Sequence, residues 1–226
     1  MRWFEHAIWW HVYPLGFTGA PIRPSGDNER ALTHRLPHLT GWLDYLQELG
    51  TNGLLLGPIF SSTTHGYDTT DHYSIDPRLG NDADFDHLIA ACRERGIVVV
   101  LDGVFNHVGI NHPLYQAALT GGPNSTEAKL FRIDWDHNPP QAAVFEGHAS
   151  LVALNHDEPA VADLVASVME YWLGRGIHGW RLDAAYAIAP QFWQTVLQRV
   201  RASFPEAWFL GEMIHGDYAE YVQHSG

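Results

Sequence analysis

Ile97-Val98-Val99-Val100-Leu101 is the stretch that most limits what this chain can fold into. An unbroken apolar run, mostly β-branched, suits a strand covered on both faces, as a parallel strand is when it lies between layers of helix. A helical stripe comes just before it: Phe85, Leu88, Ile89 and Cys92 recur at helical spacing, and Gly96 stops the run. Helix and buried strand therefore adjoin, and the same pairing recurs along the chain.

Ala7 to Tyr13 reads as a buried strand closed by Pro14 and Gly16, and residues 17–38, rich in Gly, Pro and Arg, read as loop. With Thr40 as N-cap, Leu43, Leu46 and Leu49 predict a helix that Gly50 ends. Leu54-Leu55-Leu56 follows as a short buried strand, then a polar loop to about Asn81. Val108 to Asp157 shows little periodicity and is too long for an ordinary connection, so it reads as a small inserted subdomain or functional loop. Beyond it, Val161, Leu164, Val165, Val168 and Trp172 mark a helix, residues 177–183 a strand, and Trp193, Val196, Leu197 and Val200 another helix. Trp208-Phe209-Leu210 is a fifth strand, with a further helix from Tyr218.

Strands alternating with helices specify a parallel sheet, either doubly wound or closed into a barrel. Three strands end in a carboxylate at their C-terminal ends: Leu101-Asp102, Leu182-Asp183 and Gly211-Glu212. Barrels carry their chemistry on that rim. A doubly wound nucleotide binder needs a glycine-rich turn after its first strand, and Pro14-Leu15-Gly16-Phe17 is not one. The expected fold is an incomplete (β/α)8 TIM barrel, with about five of its eight units present.

Gly179-Trp180-Arg181-Leu182-Asp183-Ala184-Ala185 sets two opposite charges two residues apart. On a strand, Arg181 and Asp183 share one face while Trp180 and Leu182 take the other. By itself the stretch fits either a surface pair on an edge strand or a pair held for chemistry, because burying charge is costly without compensation.

Composition excludes several classes. With 13 basic and 26 acidic residues the formal charge is −13, which repels nucleic acid and anionic lipid. The start, Met1-Arg2-Trp3-Phe4-Glu5-His6, lacks a signal-peptide pattern, and no run is long enough to span a bilayer, so a cytoplasmic location is expected. The single cysteine, Cys92, lies in a helical stripe and reads as packing. The nine tryptophans suit sugar stacking or a core equally well.

Asp102-Gly103-Val104-Phe105-Asn106-His107 resembles the first signature of the α-amylase family, glycoside hydrolase family 13. Gly179-Trp180-Arg181-Leu182-Asp183-Ala184 resembles its second, and Leu210-Gly211-Glu212 its third. His65-Gly66-Tyr67-Asp68 with Asp71-His72-Tyr73, and Leu154-Asn155 followed by Pro159, are similar to two weaker ones. The resemblance implies a retaining glycosidase acting on α-1,4-linked glucans or maltodextrins, with Asp183 as nucleophile and Glu212 as general acid/base. Such a mechanism needs the two carboxylates about 5 to 5.5 Å apart. Arg181 beside Asp183 is expected to favour its ionised form, and an apolar strand before Glu212 its protonated form. The resemblance also implies that Tyr67 stacks on the sugar, that His107 hydrogen-bonds to it, and that Asp102 and Asp68 support the substrate site.

Asn106 matches a position that binds calcium in many members. Those members often carry Lys-His three and four residues after the nucleophile, where this chain has Tyr186-Ala187, so no cofactor is expected, with calcium left as an alternative. The family's transition-state-stabilising aspartate belongs on a seventh strand, well beyond Glu212. The sequence is therefore expected to be a fragment of a longer enzyme or a truncated product, inactive alone. The expected partner is a maltooligosaccharide or other α-glucan, with neither nucleic acid nor membrane. A glucanotransferase or trehalose synthase on the same scaffold, or a non-catalytic relative, remain alternatives, and oligomeric state is not legible.

Overall fold

In a computed structural model that describes residues 2–226, five parallel strands form one sheet. They are β1 (Trp9–Val12), β2 (Gly53–Leu56), β3 (Val98–Gly103), β4 (Gly179–Leu182) and β5 (Trp208–Gly211). Each pairs with the next in chain order, the last pair in the register Leu182↔Gly211. A doubly wound sheet reverses direction at a switch point. This one runs a single way round, as the wall of a barrel does.

The connecting helices are α1 (Leu43–Glu48), α2 (Asp82–Glu94), α3 (Pro113–Gly121), α4 (Pro159–Gly174), α5 (Pro190–Ser203) and α6 (Tyr218–Ser225). Asn81 caps α2, its side chain accepting the Asp84 N–H while the Asp84 carboxylate accepts the Asn81 N–H. Pro opens α3, α4 and α5, where its missing N–H has no helical acceptor to lose. The core lies between sheet and helices, and Trp172, Trp180 and Trp193 are fully buried in it with Phe60 and Phe85. Most of β2 and β3 is buried, whereas Leu210 on β5 is 40% exposed. The arc is open, with β1 and β5 as its edges among the described residues.

Two glycines are set by close approach. A Cβ on Gly179 would fall 2.0 Å from the carbonyl oxygen of Trp208, and one on Gly53 would fall 2.5 Å from the Trp9 indole. No side chain fits at either position.

Three local expectations differ from the structure. Thr40 does not cap α1; it ends a separate helix, Leu36–Thr40, and its hydroxyl donates back to the Leu36 carbonyl at 3.3 Å. The stretch read as loop to Asn81 contains an antiparallel pair, Phe60–Ser62 with Thr69–Ile75. Inside 17–38 lies a helical turn, Asp27–Arg30, too short to show a period. Residues 108–157 carry α3 and short antiparallel pairs: His107–Gly109 with Leu151–Ala153, and Ile133–Asp134 with Gln141–Ala142. This segment rises over the C-terminal ends of the strands.

A buried ion pair fastens the loops beneath it. Arg78 spends its guanidinium on both oxygens of Asp76 (2.8 and 2.6 Å), on the Ser62 hydroxyl (2.7 Å) and on the Pro21 carbonyl (2.8 Å). Every charge in it has partners, as burial at 1% exposure requires.

Candidate active site

The parallel register brings the strand-end carboxylates together. With Leu182 opposite Gly211, Asp183 and Glu212 become neighbours, and the Glu212 N–H donates to the Leu182 carbonyl at 3.0 Å. Arg181 stands between them. Its Nη1 reaches Asp102 Oδ1 at 2.5 Å and Asp183 Oδ1 at 3.1 Å, and its Nη2 reaches Glu212 Oε1 at 2.7 Å. The other oxygen of Glu212 accepts the Ala184 N–H at 2.9 Å. Ala184 holds a left-handed backbone (φ 47°), a strained conformation for a residue with a side chain, of the kind that clusters at functional sites.

Three carboxylates share one guanidinium, and burial outweighs its pull. Desolvation pushes Asp102 up to about 7 and Asp183 up to about 6, with repulsion among the acids adding to it and Arg181 opposing it. Arg181 does favour the ionised form of Asp183, as expected, but burial acts more strongly in the other direction. Asp183 is enclosed on the strand's buried end, and one shared cation does not replace its water. The apolar enclosure expected around Glu212 is also missing, since 33% of its side chain is exposed.

Tyr67 reaches the cluster, its hydroxyl donating to Asp102 Oδ2 at 3.4 Å, and burial beside Asp102 pushes the phenol well up. His107 lines the same cavity as Tyr67, Asp183 and Glu212, a space of about 290 Å3. Its Nδ1 faces the Asn106 amide at 3.1 Å, and its buried Nε2 has no hydrogen-bond partner among the described residues. Burial holds the ring down at about 4, so it is neutral at ordinary pH.

Asp68 is not brought to the cavity. It is buried, and its oxygens accept the Thr64 N–H at 3.1 Å and hydroxyl at 2.8 Å, bracing the 63–68 turn. Asn106, the position that holds calcium in many members, gives its amide to His107. Among the described residues no three acidic, His or Cys side chains are placed to hold a metal ion.

Sequence reasoning missed Phe145 and His148, which line the cavity together with His65 of the His65–Asp68 signature. The Phe145 ring stacks on His107 with centroids 4.7 Å apart and planes 19° from parallel. It lies in a stretch with no periodicity, so nothing local marked it. A buried cluster of acids next to aromatic walls can grip a sugar face and offer two carboxylates to one bond.

The sequence pattern of the alpha-amylase catalytic domain matches residues 27–225. A cyclomaltodextrinase from a Bacillus species is 32% identical over 239 residues, covering 94% of this chain and 41% of its own length. The intracellular maltogenic amylase of Bacillus subtilis strain 168 is 32% identical over 231 residues, covering 95% of this chain and 39% of its own. The cyclic alpha-maltosyl-(1→6)-maltose hydrolase of Arthrobacter globiformis superposes with a TM-score of 0.81 at 28% identity, across 94% of this chain and 52% of that one. The chain spans about two-fifths of the length of the curated relatives it matches. With one sequence pattern running from residue 27 to 225 over a one-way parallel arc, the chain belongs to the alpha-amylase catalytic-domain family.

Proposed function

We propose that the full-length protein is a retaining glycosidase that hydrolyses α-1,4 bonds in maltooligosaccharides and related maltodextrins. The observation that carries this reading is the convergence of Asp102, Asp183 and Glu212 on Arg181 at the strand ends. Asp183 attacks the anomeric carbon as Glu212 gives its proton to the leaving glycosidic oxygen, forming a glycosyl-enzyme. Glu212 then takes a proton from water, which releases the sugar with its original configuration. Arg181 and Asp102 hold Asp183 on line, Tyr67 offers its ring to the sugar face, and neutral His107 offers a hydrogen bond.

Names among the relatives support the substrate class: one is a cyclomaltodextrinase and another a maltogenic amylase. The chain spans about two-fifths of the length of these relatives, and the activity proposed is that of the full-length protein. A cytoplasmic location accords with the relative named intracellular, and no described helix is long and apolar enough to cross a membrane. The test is turnover of maltotriose by the full-length gene product, followed by NMR of the anomeric protons. Retained configuration and its loss in Asp183→Asn are expected, and an inverted product sinks the reading. Oligosaccharides longer than the substrate mark a transferase instead.

A further inference from the structure

Beside the carboxylates, the inserted segment is joined to the loop that follows β4. The Tyr186 hydroxyl donates to Glu146 Oε1 at 2.8 Å, the one side-chain hydrogen bond among the described residues joining residues 108–157 to the loop after β4. Both ends of this bridge are fixed. Tyr186 follows Asp183 by three residues, and its N–H donates to the Glu212 carbonyl at 3.3 Å. Glu146 adopts a left-handed backbone (φ 47°, ψ 34°), strained for a residue with a Cβ, and its neighbour Phe145 is stacked on His107. Tyr186 lines two cavities, the one of about 290 Å3 over Asp183 and Glu212 and another of about 410 Å3 bounded by His215, Asp217, Glu220 and Tyr221. Tyr186 thus stands in the wall of both cavities, and its hydroxyl is tied to the residue that follows Phe145 in the wall of the first.

We propose that the Tyr186–Glu146 hydrogen bond is a strap that sets which glucans enter: short chains slide beneath it, and a long polymer crossing the cleft is excluded. This rests on the glycosidase reading and adds its chain-length preference. Phe145 is held in the wall of the sugar pocket by its stack on His107, and Glu146 ties that loop to Tyr186. Strain in the Glu146 backbone is tolerated because the tyrosine anchors the side chain. Breaking the anchor lets residues 145–148 lift and opens the cleft from above.

The test compares kcat/KM on amylose with that on maltotriose, in the full-length protein. Glu146→Ala and Tyr186→Phe are expected to raise the amylose-to-maltotriose ratio about fivefold, the order of effect of one hydrogen bond. Glu146→Gln keeps an acceptor oxygen and is expected to restore the wild-type ratio. A role in folding alone lowers both substrates together and leaves the ratio unmoved. An unmoved ratio in Glu146→Ala and Tyr186→Phe, with Asp183→Asn still abolishing turnover, overturns the strap and leaves the glycosidase reading standing. No turnover of either substrate by the wild-type protein overturns both.

Discussion

Trp9 and Trp208 stack almost parallel, with ring centroids 5.2 Å apart and planes 8° from each other, although they begin the first and last strands of the sheet. Neighbouring strands lie about 4.8 Å apart, so in a flat sheet β1 and β5 would stand roughly 19 Å from each other. Their contact means that the sheet has curled until its edges face across the interior. Trp3 adds edge-on contacts to both rings. An aromatic plug therefore holds the N-terminal end of the arc in the curvature that aims the strand-end carboxylates at one point.

Trp208→Ala is expected to cost about 2 to 3 kcal/mol, below the range for a fully buried tryptophan because this one is half-buried. The near-ultraviolet circular dichroism of the stacked indoles should vanish with it. A melting temperature and spectrum like those of the wild type would show that the curl does not depend on the plug.

Arg181→Met removes the one cation shared by Asp102, Asp183 and Glu212. Arg181 holds Asp102 and Asp183 toward their ionised forms, so its loss moves their protonation to higher pH. The full-length enzyme is expected to lose at least about a hundredfold in kcat, with the acid limb of its pH profile displaced upward. An acid limb that stays in place would mean that Arg181 does not govern these groups.

Stability should respond to pH through two opposing sets of groups. His107 and His112 are buried and held down at about 4, below their usual 6.5, so their contribution is complete above about pH 6.5 and is lost as pH falls toward 4. Asp102 and Asp183 are raised to about 7 and about 6, so theirs is complete near pH 4 and is lost as pH rises through 6 to 7. Between about pH 4 and 6 the two sets act in opposite directions, with His72, His156 and His178, also held down by burial, on the side of the histidines. Asp102→Asn removes one acid, so stability should climb with pH more steeply than in the wild type, by about 1.4 kcal/mol per unit in that window. Urea midpoints at successive pH values read this directly, and a flat profile in the variant counts against it.

Arg78→Met leaves Asp76 buried and unpaired, and a loss of about 3 to 5 kcal/mol is expected. Replacing both, as Asp76→Leu with Arg78→Met, should cost less than the single change, because no orphan charge is left behind. A double-mutant cycle on urea denaturation checks this. Equal losses would point to the Ser62 and Pro21 bonds rather than the ion pair as the main support.

What the sequence determined by itself was local in origin. Apolar runs such as Ile97 to Leu101 identified the strands, helical stripes identified α2, α4 and α5, and the residue ending each strand placed Asp102, Asp183 and Glu212 on one rim. A parallel strand buried on both faces has few alternatives, so its pattern alone is enough. Thr40 and the Phe60–Ile75 hairpin escaped because elements of a few residues show no period. Asp68 bore a site-like pattern but turned its carboxylate to Thr64, a choice made by the path of the loop. Tertiary structure alone decided the rest. Phe145 and Glu146 meet His107 and Tyr186 from about 40 residues away, and no local rule encodes such a meeting. The state of Asp183 was decided in the same way, since desolvation and the Arg181 field pull in opposite directions and only the depth of burial says which prevails.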